Sequence, residues 1–213
     1  MKTDVLIDLL ARSAGPADRY RLASRFGFAL AAGAVGTFVL LLAVFGINPA
    51  LQDFLSLPDF WIKVTFAGSL AAAGLIVSTR LARPGVTVGN AKAFVVLPVL
   101  ALWTLAVVVL VNAEPATHAQ LVFGNTWRKC PFNIALLSGP TFIAGVWALR
   151  GLAPTQQRLA GAALGQLSGA LGACVYCLHC PEFAPPFLSV WYVAGMLIPI
   201  AVGYAIGPRL LRW

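Results

Sequence analysis

Six runs of roughly 20 apolar residues, each the length of a helix that crosses the hydrocarbon core, make the bilayer the solvent of this chain. They lie at Phe26–Ile47, Phe60–Thr79, Ala93–Val111, Phe132–Leu149, Leu159–Leu178 and Phe187–Ile206. Together they take up more than half of the 213 residues, and the connections between them are too short to cover six such runs with soluble protein. The expected class is therefore an all-α polytopic membrane protein with six transmembrane helices. Two segments follow: a cytoplasmic N-terminal piece over residues 1–25 and a transmembrane domain over residues 26–213. With 60% hydrophobic and only 10% charged residues, there is no space for a soluble catalytic domain. The first apolar run begins at residue 26 with no small-residue cleavage pattern after it, so a cleaved signal peptide is not expected.

A net charge of +8 would point to nucleic acid in a soluble chain, but here the basic residues sort by side of the membrane. Lys2, Arg12, Arg19, Arg21, Arg25, Arg80, Arg83, Lys92, Arg150, Arg158, Arg209 and Arg212 are twelve of the fifteen, and all fall before, after or between spans on one side. The opposite side carries Arg128 and Lys129 with Asp53, Asp59, Glu114 and Glu182, and Lys63 sits just inside the second span, where it is expected to snorkel to the interface. Both termini are thus expected in the cytoplasm, and no direct contact with nucleic acid is expected.

Within residues 1–25, Thr3 can cap a short helix with Asp4 in its first turn, and Val5, Leu6, Leu9 and Leu10 share one face. So short a helix is marginal in water and needs a partner for that face. The membrane lipid surface or the inner loops are one choice, and a groove on a cytoplasmic protein is the other. In the fifth run Gly161, Gly165, Gly169 and Gly172 form a small-residue stripe with Ser168 beside it; such a stripe permits close helix approach, either within the chain or as a homodimer seam. Pro98, Pro140 and Pro199 fall inside spans three, four and six, where neighbouring helices can satisfy the freed carbonyls.

The thiols gather at the outer side. Cys130 closes the connection between the third and fourth spans before Pro131, and Cys174, Cys177 and Cys180 run through the end of the fifth span with His179. An oxidising compartment there favours disulfides, and thiolates with imidazole suit soft ions such as copper or zinc. Cys174 and Cys177 fall inside the apolar run, where packing as small hydrophobes is the plain reading; with His179 they are weaker candidates for metal. Cys130 and Cys180 are expected at the water-accessible mouth, as a structural disulfide or as a switchable redox or metal site. A bridge needs their Cα atoms within about 7 Å. No Ser/His/Asp set, carboxylate pair or nucleotide loop is present, so an enzyme is not expected. A thiol oxidoreductase coupled to quinone would need an exposed Cys-x-x-Cys, and a soft-metal permease would need ligands along a path; these two remain the alternatives from other classes.

Several motifs resemble one family. They are the opening Met1-Lys-Thr-Asp-x-Leu-Ile-x-x-Leu-Ala11, Cys130-Pro131, Arg150-x-x-Ala-Pro-Thr155 with Gly161-x-x-x-Gly165, Tyr176-x-Leu-His-Cys180, Trp191-Tyr192 and Leu210-Leu-Arg-Trp213. In combination the chain resembles the NrsF-like negative regulators of sigma factor F, six-span anti-sigma factors of the bacterial inner membrane. The resemblance implies that the N-terminal segment, through Val5, Leu6, Leu9 and Leu10, holds an extracytoplasmic-function sigma factor inactive. It also implies that Cys130 and Cys180 sense metal or oxidative stress, with no resident cofactor beyond a transient soft metal ion. Cys174 and Cys177 lie outside the family's pattern.

Overall fold

A computed structural model describes Thr3, Val5, Ile7 and residues 20–212 apart from Pro84, Thr87 and Ala153. Among the described residues, six helices are long and apolar enough to cross a membrane. They are α1 (Tyr20–Val44), α3 (Pro58–Leu81), α4 (Ala91–Asn112), α6 (Cys130–Arg150), α7 (Gln157–Tyr176) and α8 (Pro185–Leu210), with short helices α2 (Leu51–Leu55) and α5 (His118–Phe123) between them. Each expected span is found, displaced by a few residues at its ends. The ends follow capping chemistry: α3 opens on Pro58 with Asp59 in its first turn and closes on Arg80, and α6 opens with Pro131 and closes on Arg150. Proline suits the first helical turn, and the charges oppose the helix dipole favourably.

Helix α7 is the axis of the bundle. It packs against α3, α6 and α8, while α1 lies outside α6 and α4 outside α3 and the start of α8. Accordingly 72% of the apolar window of α7 is buried, against 11% of that of α4. An exposed apolar face on α4, with Phe94, Leu97, Leu100, Trp103, Val107 and Val111 outward, is what a lipid-facing helix requires.

The glycine stripe is spent inside the chain. A Cβ on Gly161 would run into the backbone of Gly203, one on Gly165 into Pro199, and one on Gly172 into Ile134 and Ser138, while Gly203 and Gly207 on α8 meet Gly161 and Gln157 in return. The α7–α8 contact is therefore backbone against backbone, and Pro199 fits into the groove that Gly165 and Gly169 leave. On the other side of α6, the buried Thr37 of α1 donates to the Leu137 carbonyl at 3.1 Å and lies 3.1 Å from the Thr141 hydroxyl. Both are next to Pro140, where the helix ladder is interrupted.

The two ends of the bundle differ chemically. At one end Arg25 donates to the Trp147 carbonyl and lies over its ring, Arg150 donates to Leu210, Gln157 to Leu211, and Arg80 to Val88. At the other end lie the four cysteines, Lys63, His179 and Glu182. The N-terminal helix face is only partly described: Val5 is helical and 50% exposed, whereas Leu6, Leu9 and Leu10 lie outside the described residues.

Candidate functional site: an outer thiol cluster

Chain geometry builds this cluster from three separate segments. Helix α7 ends at Tyr176, and a turn carries Cys177 to Cys180 over the bundle end, with the Cys180 N–H still bonded to the Tyr176 carbonyl at 3.0 Å. Cys130 opens α6, and Gly195 of α8 allows α6 to approach, since a Cβ there would press on Ile134 and Pro131. In α8 the first turns contain a π-helical segment, Leu188–Tyr192. Its wider turn orients Tyr192 into the cluster, and Trp103 donates from α4 to the Ser189 carbonyl at 3.1 Å. Such segments recur at functional sites.

Cys130 and Cys180 meet. They share one buried cluster and act on each other's ionisation, and both cysteines are free. The expectation that this pair stands at a water-accessible mouth is overturned: each is 0% exposed, inside a core with Cys177, Tyr176, Phe187, Leu188 and Tyr192. The reason is the fold-back of residues 177–184 over the end of the bundle, which buries even the residues beyond the apolar run. Cys177 packs as expected, also 0% exposed, with its thiol donating to the Ala173 carbonyl at 3.2 Å. Cys174 is the half-buried member of the four.

Lys63 was expected to snorkel, and that reading is also corrected. It is 0% exposed. Its Nζ donates to the Cys180 carbonyl at 2.7 Å and to the Glu182 carbonyl at 3.0 Å, and it stands over the rings of Phe183 and Tyr192 at 4.9 and 5.1 Å. The 177–184 fold-back lies over α3 and supplies carbonyls closer than the interface. Among the described residues no carboxylate pairs with this buried ammonium.

The charge environment of Cys180 follows from these contacts. The thiol of Cys180 is held well below the ordinary range, first by the hydrogen bond from Cys130, then by the Lys63 ammonium and a backbone N–H of Glu182, against the opposing effect of burial. Cys177, deprived of water, is pushed up to about 12. A low-lying thiol beside a cation is the form that reacts.

Two further connections at this end of the bundle are tied to this cluster. Glu182 accepts from the Asn125 N–H at 2.7 Å and from the Thr126 hydroxyl, and Gly124, at φ +50°, leaves space for that carboxylate. Rings of Phe123, Trp127 and Trp191 pack edge-on and tilted against one another beside it, with Trp191 Nε1 donating to the Val122 carbonyl at 2.8 Å. On the connection after α1, His179 Nδ1 lies 3.1 Å from the Gly46 carbonyl and Asn48 donates to the His179 carbonyl at 3.0 Å. His179 is thus engaged with the backbone of that connection, and among the described residues no group of three or more His, Cys, Asp or Glu side chains converges on a metal position. Lys63, Glu182 and Tyr192 are the members that sequence reasoning missed. The only signal for Lys63 was a charge within an apolar run.

Comparison with known proteins gives a consistent result. The model of the family described as negative regulator of sigma F, NrsF, matches residues 10–213. The chain is 46% identical over 213 residues to the "Probable anti-sigma-F factor NrsF" of Azospira oryzae, and 38% identical over 221 residues to the "Anti-sigma-F factor NrsF" of Caulobacter vibrioides, covering 100% of each chain in both cases. No solved structure matches.

Proposed function

The chain belongs to the NrsF family of negative regulators of sigma F, and from that premise we propose that it is a multi-pass inner-membrane anti-sigma factor with its outer thiol pair as the input. Its output is retention of an extracytoplasmic-function sigma factor at the cytoplasmic face by the apolar side of the N-terminal helix, Val5, Leu6, Leu9 and Leu10. Its input is covalent oxidation of Cys130 with Cys180 under stress, which releases the factor. One observation carries the reading. Two cysteines fifty residues apart in sequence lie side by side in one core, each acting on the other's ionisation, beneath a fold-back that also binds two further connections. A bond formed between them acts on loops that reach three spans.

Oxidation can shift the equilibrium only if the two states hold the pair differently. The α6–α7–α8 contacts, backbone against backbone at the glycines, offer a stiff path from the outer cluster to the inner end. Metal is the less favoured input because no third ligand joins the pair among the described residues.

The test has two arms. Leu6→Asp and Leu9→Asp should release the sigma factor and leave membrane insertion intact, because an unpaired carboxylate in an apolar groove is costly. Cys130→Ser and Cys180→Ser should abolish or lock the stress response to the same degree, and Cys177→Ala should leave it in place. Unchanged co-purification of the sigma factor with the double Asp variant would sink the docking half. A normal response in Cys130→Ser would sink the sensing half.

A further inference from the structure

Lys63 is buried without a carboxylate, and an ammonium in that state requires an anion or a dense set of acceptors. Two carbonyls and two aromatic faces supply part of this. The titratable groups around it are Cys130, Cys177, Cys180 and Tyr192, while the Glu182 side chain is turned away to Asn125 and Thr126. Of these, Cys180 is the one on the segment that Lys63 holds, its carbonyl accepting from Nζ at 2.7 Å, with the Cys130 thiol beside it in the same core.

We propose that Lys63 is the counter-charge of a Cys180 thiolate, and that loss of this anion when Cys130 and Cys180 close a disulfide leaves the ammonium uncompensated and drives the 177–184 fold-back off α3. Lys63 is a positioning residue: it acts through Cys180 and through the fold-back whose carbonyls it holds. This inference rests on the redox reading of the thiol pair given above.

The chemistry balances with a peroxide as oxidant. Burial of both sulfurs shuts out bulky disulfides, which selects a small molecule of this class. The Cys180 thiolate attacks one peroxide oxygen, the O–O bond breaks, and the departing hydroxide takes a proton from the solvent to become water. Cys180 is now a sulfenic acid. The Cys130 sulfur then attacks Cys180, the S–S bond forms, the S–O bond breaks, and the hydroxyl leaves with the Cys130 proton as a second water. Two sulfurs have lost two electrons, and the peroxide has gained them. The negative charge that faced Lys63 is gone, because a disulfide carries none. An unpaired buried cation favours any arrangement that lets water reach it.

The full-length protein in lipid nanodiscs, treated with hydrogen peroxide at neutral pH, provides the test. Wild type should form the Cys130–Cys180 disulfide, read by mass spectrometry of the joined peptides. Lys63→Met, close in shape and uncharged, should form it roughly tenfold more slowly or worse, since each tenfold corresponds to one unit in the thiol's ionisation. Lys63→Arg should recover most of the rate. The ultraviolet thiolate absorbance should vanish in Cys180→Ser and in Lys63→Met but persist in Cys130→Ser, a signature that a purely structural lysine would not move. Hydrogen exchange over 177–184 should accelerate on oxidation in wild type and not in Lys63→Met. If Lys63→Met does not fold, the two serine variants still decide: loss of thiolate absorbance in Cys130→Ser with Lys63 present overturns the counter-charge. If wild type forms no disulfide, the redox reading itself fails. If it does and Lys63→Met matches it in rate and exchange, only the present inference fails.

Discussion

The Glu182 carboxylate accepts a hydrogen bond from the backbone N–H of Asn125 at 2.7 Å, joining the α4–α6 connection to the fold-back that covers the thiols. Gly124 makes the approach possible. Its backbone, φ +50° and ψ −153°, lies in a region essentially confined to glycine, and a Cβ would stand 2.5 Å from a Glu182 oxygen. Gly124→Ala should therefore cost about 1–3 kcal/mol through backbone strain alone, and more through the clash. Glu182→Gln keeps the shape and loses the charge assistance, so a smaller loss of about 1 kcal/mol is expected. Thermal unfolding in detergent, with both variants and their double mutant, measures this. Because Gly124 strain survives removal of the carboxylate charge, the double mutant should be no more stable than Gly124→Ala.

Close packing of α7 on α8 yields a sharper expectation. Gly165→Val would drive a branched side chain into the backbone of Pro199 and Ile200, and neither can yield as a side chain could. Loss of folded protein is expected, beyond the 1–3 kcal/mol typical of overpacking. Leu97→Ala, on the outward face of α4, should leave the melting temperature almost unchanged. A stripe serving a homodimer seam would behave differently: Gly165→Val would give a folded monomer on cross-linking or light scattering.

The spans were legible in the sequence because hydropathy over a span length is a local property, and lipid demands it of every crossing helix. The glycine stripe was legible as a close-packing face, although its partner on α8 was not, since Gly203 and Gly207 declare themselves only when set against α7. The thiol pair was reached from the place of residues 130 and 180 at the ends of apolar runs, and the family resemblance points to the same two; what brings them together is the fold, through the turn after Tyr176. The sequence misled about exposure. Cys180 and Lys63 lie near the ends of apolar runs, where the default is water, and nothing in the order of residues reveals that 177–184 turns back over them. A lysine with a long stem could reach the interface; carbonyls at 2.7 and 3.0 Å won instead.

Topology is the next expectation. The end of the bundle that gathers Arg25, Arg80, Arg150 and Arg158 should face the cytoplasm, because basic residues in short connections are retained there. Reporter fusions after Arg83, Arg150 and Arg212 should read as cytoplasmic, and fusions at Asp53, His118 and Pro185 as periplasmic. An external C-terminus would place the thiol cluster in a reducing compartment and remove the case for oxidation as the input.

The thiols themselves should separate by pH. Cys180 lies below the ordinary thiol range, by the hydrogen bond from Cys130 first and the Lys63 charge after it, while burial pushes Cys177 up to about 12. The sign is fixed by which form reacts: the thiolate is lost as pH falls through the folded value, so a lowered group stays reactive further into acid and a raised one becomes reactive only in alkali. Iodoacetamide is small and uncharged and suits a buried pair. In nanodiscs its rate at Cys180, followed by peptide mass spectrometry, should change little between pH 8 and about pH 6, a range over which an ordinary thiol with a reference value near 8.5 loses roughly two orders of magnitude in rate. Cys177 should remain unmodified until strongly alkaline conditions. Equal rates and equal pH profiles at the two positions would mean that the fold-back does not hold Cys180 as a distinct anion.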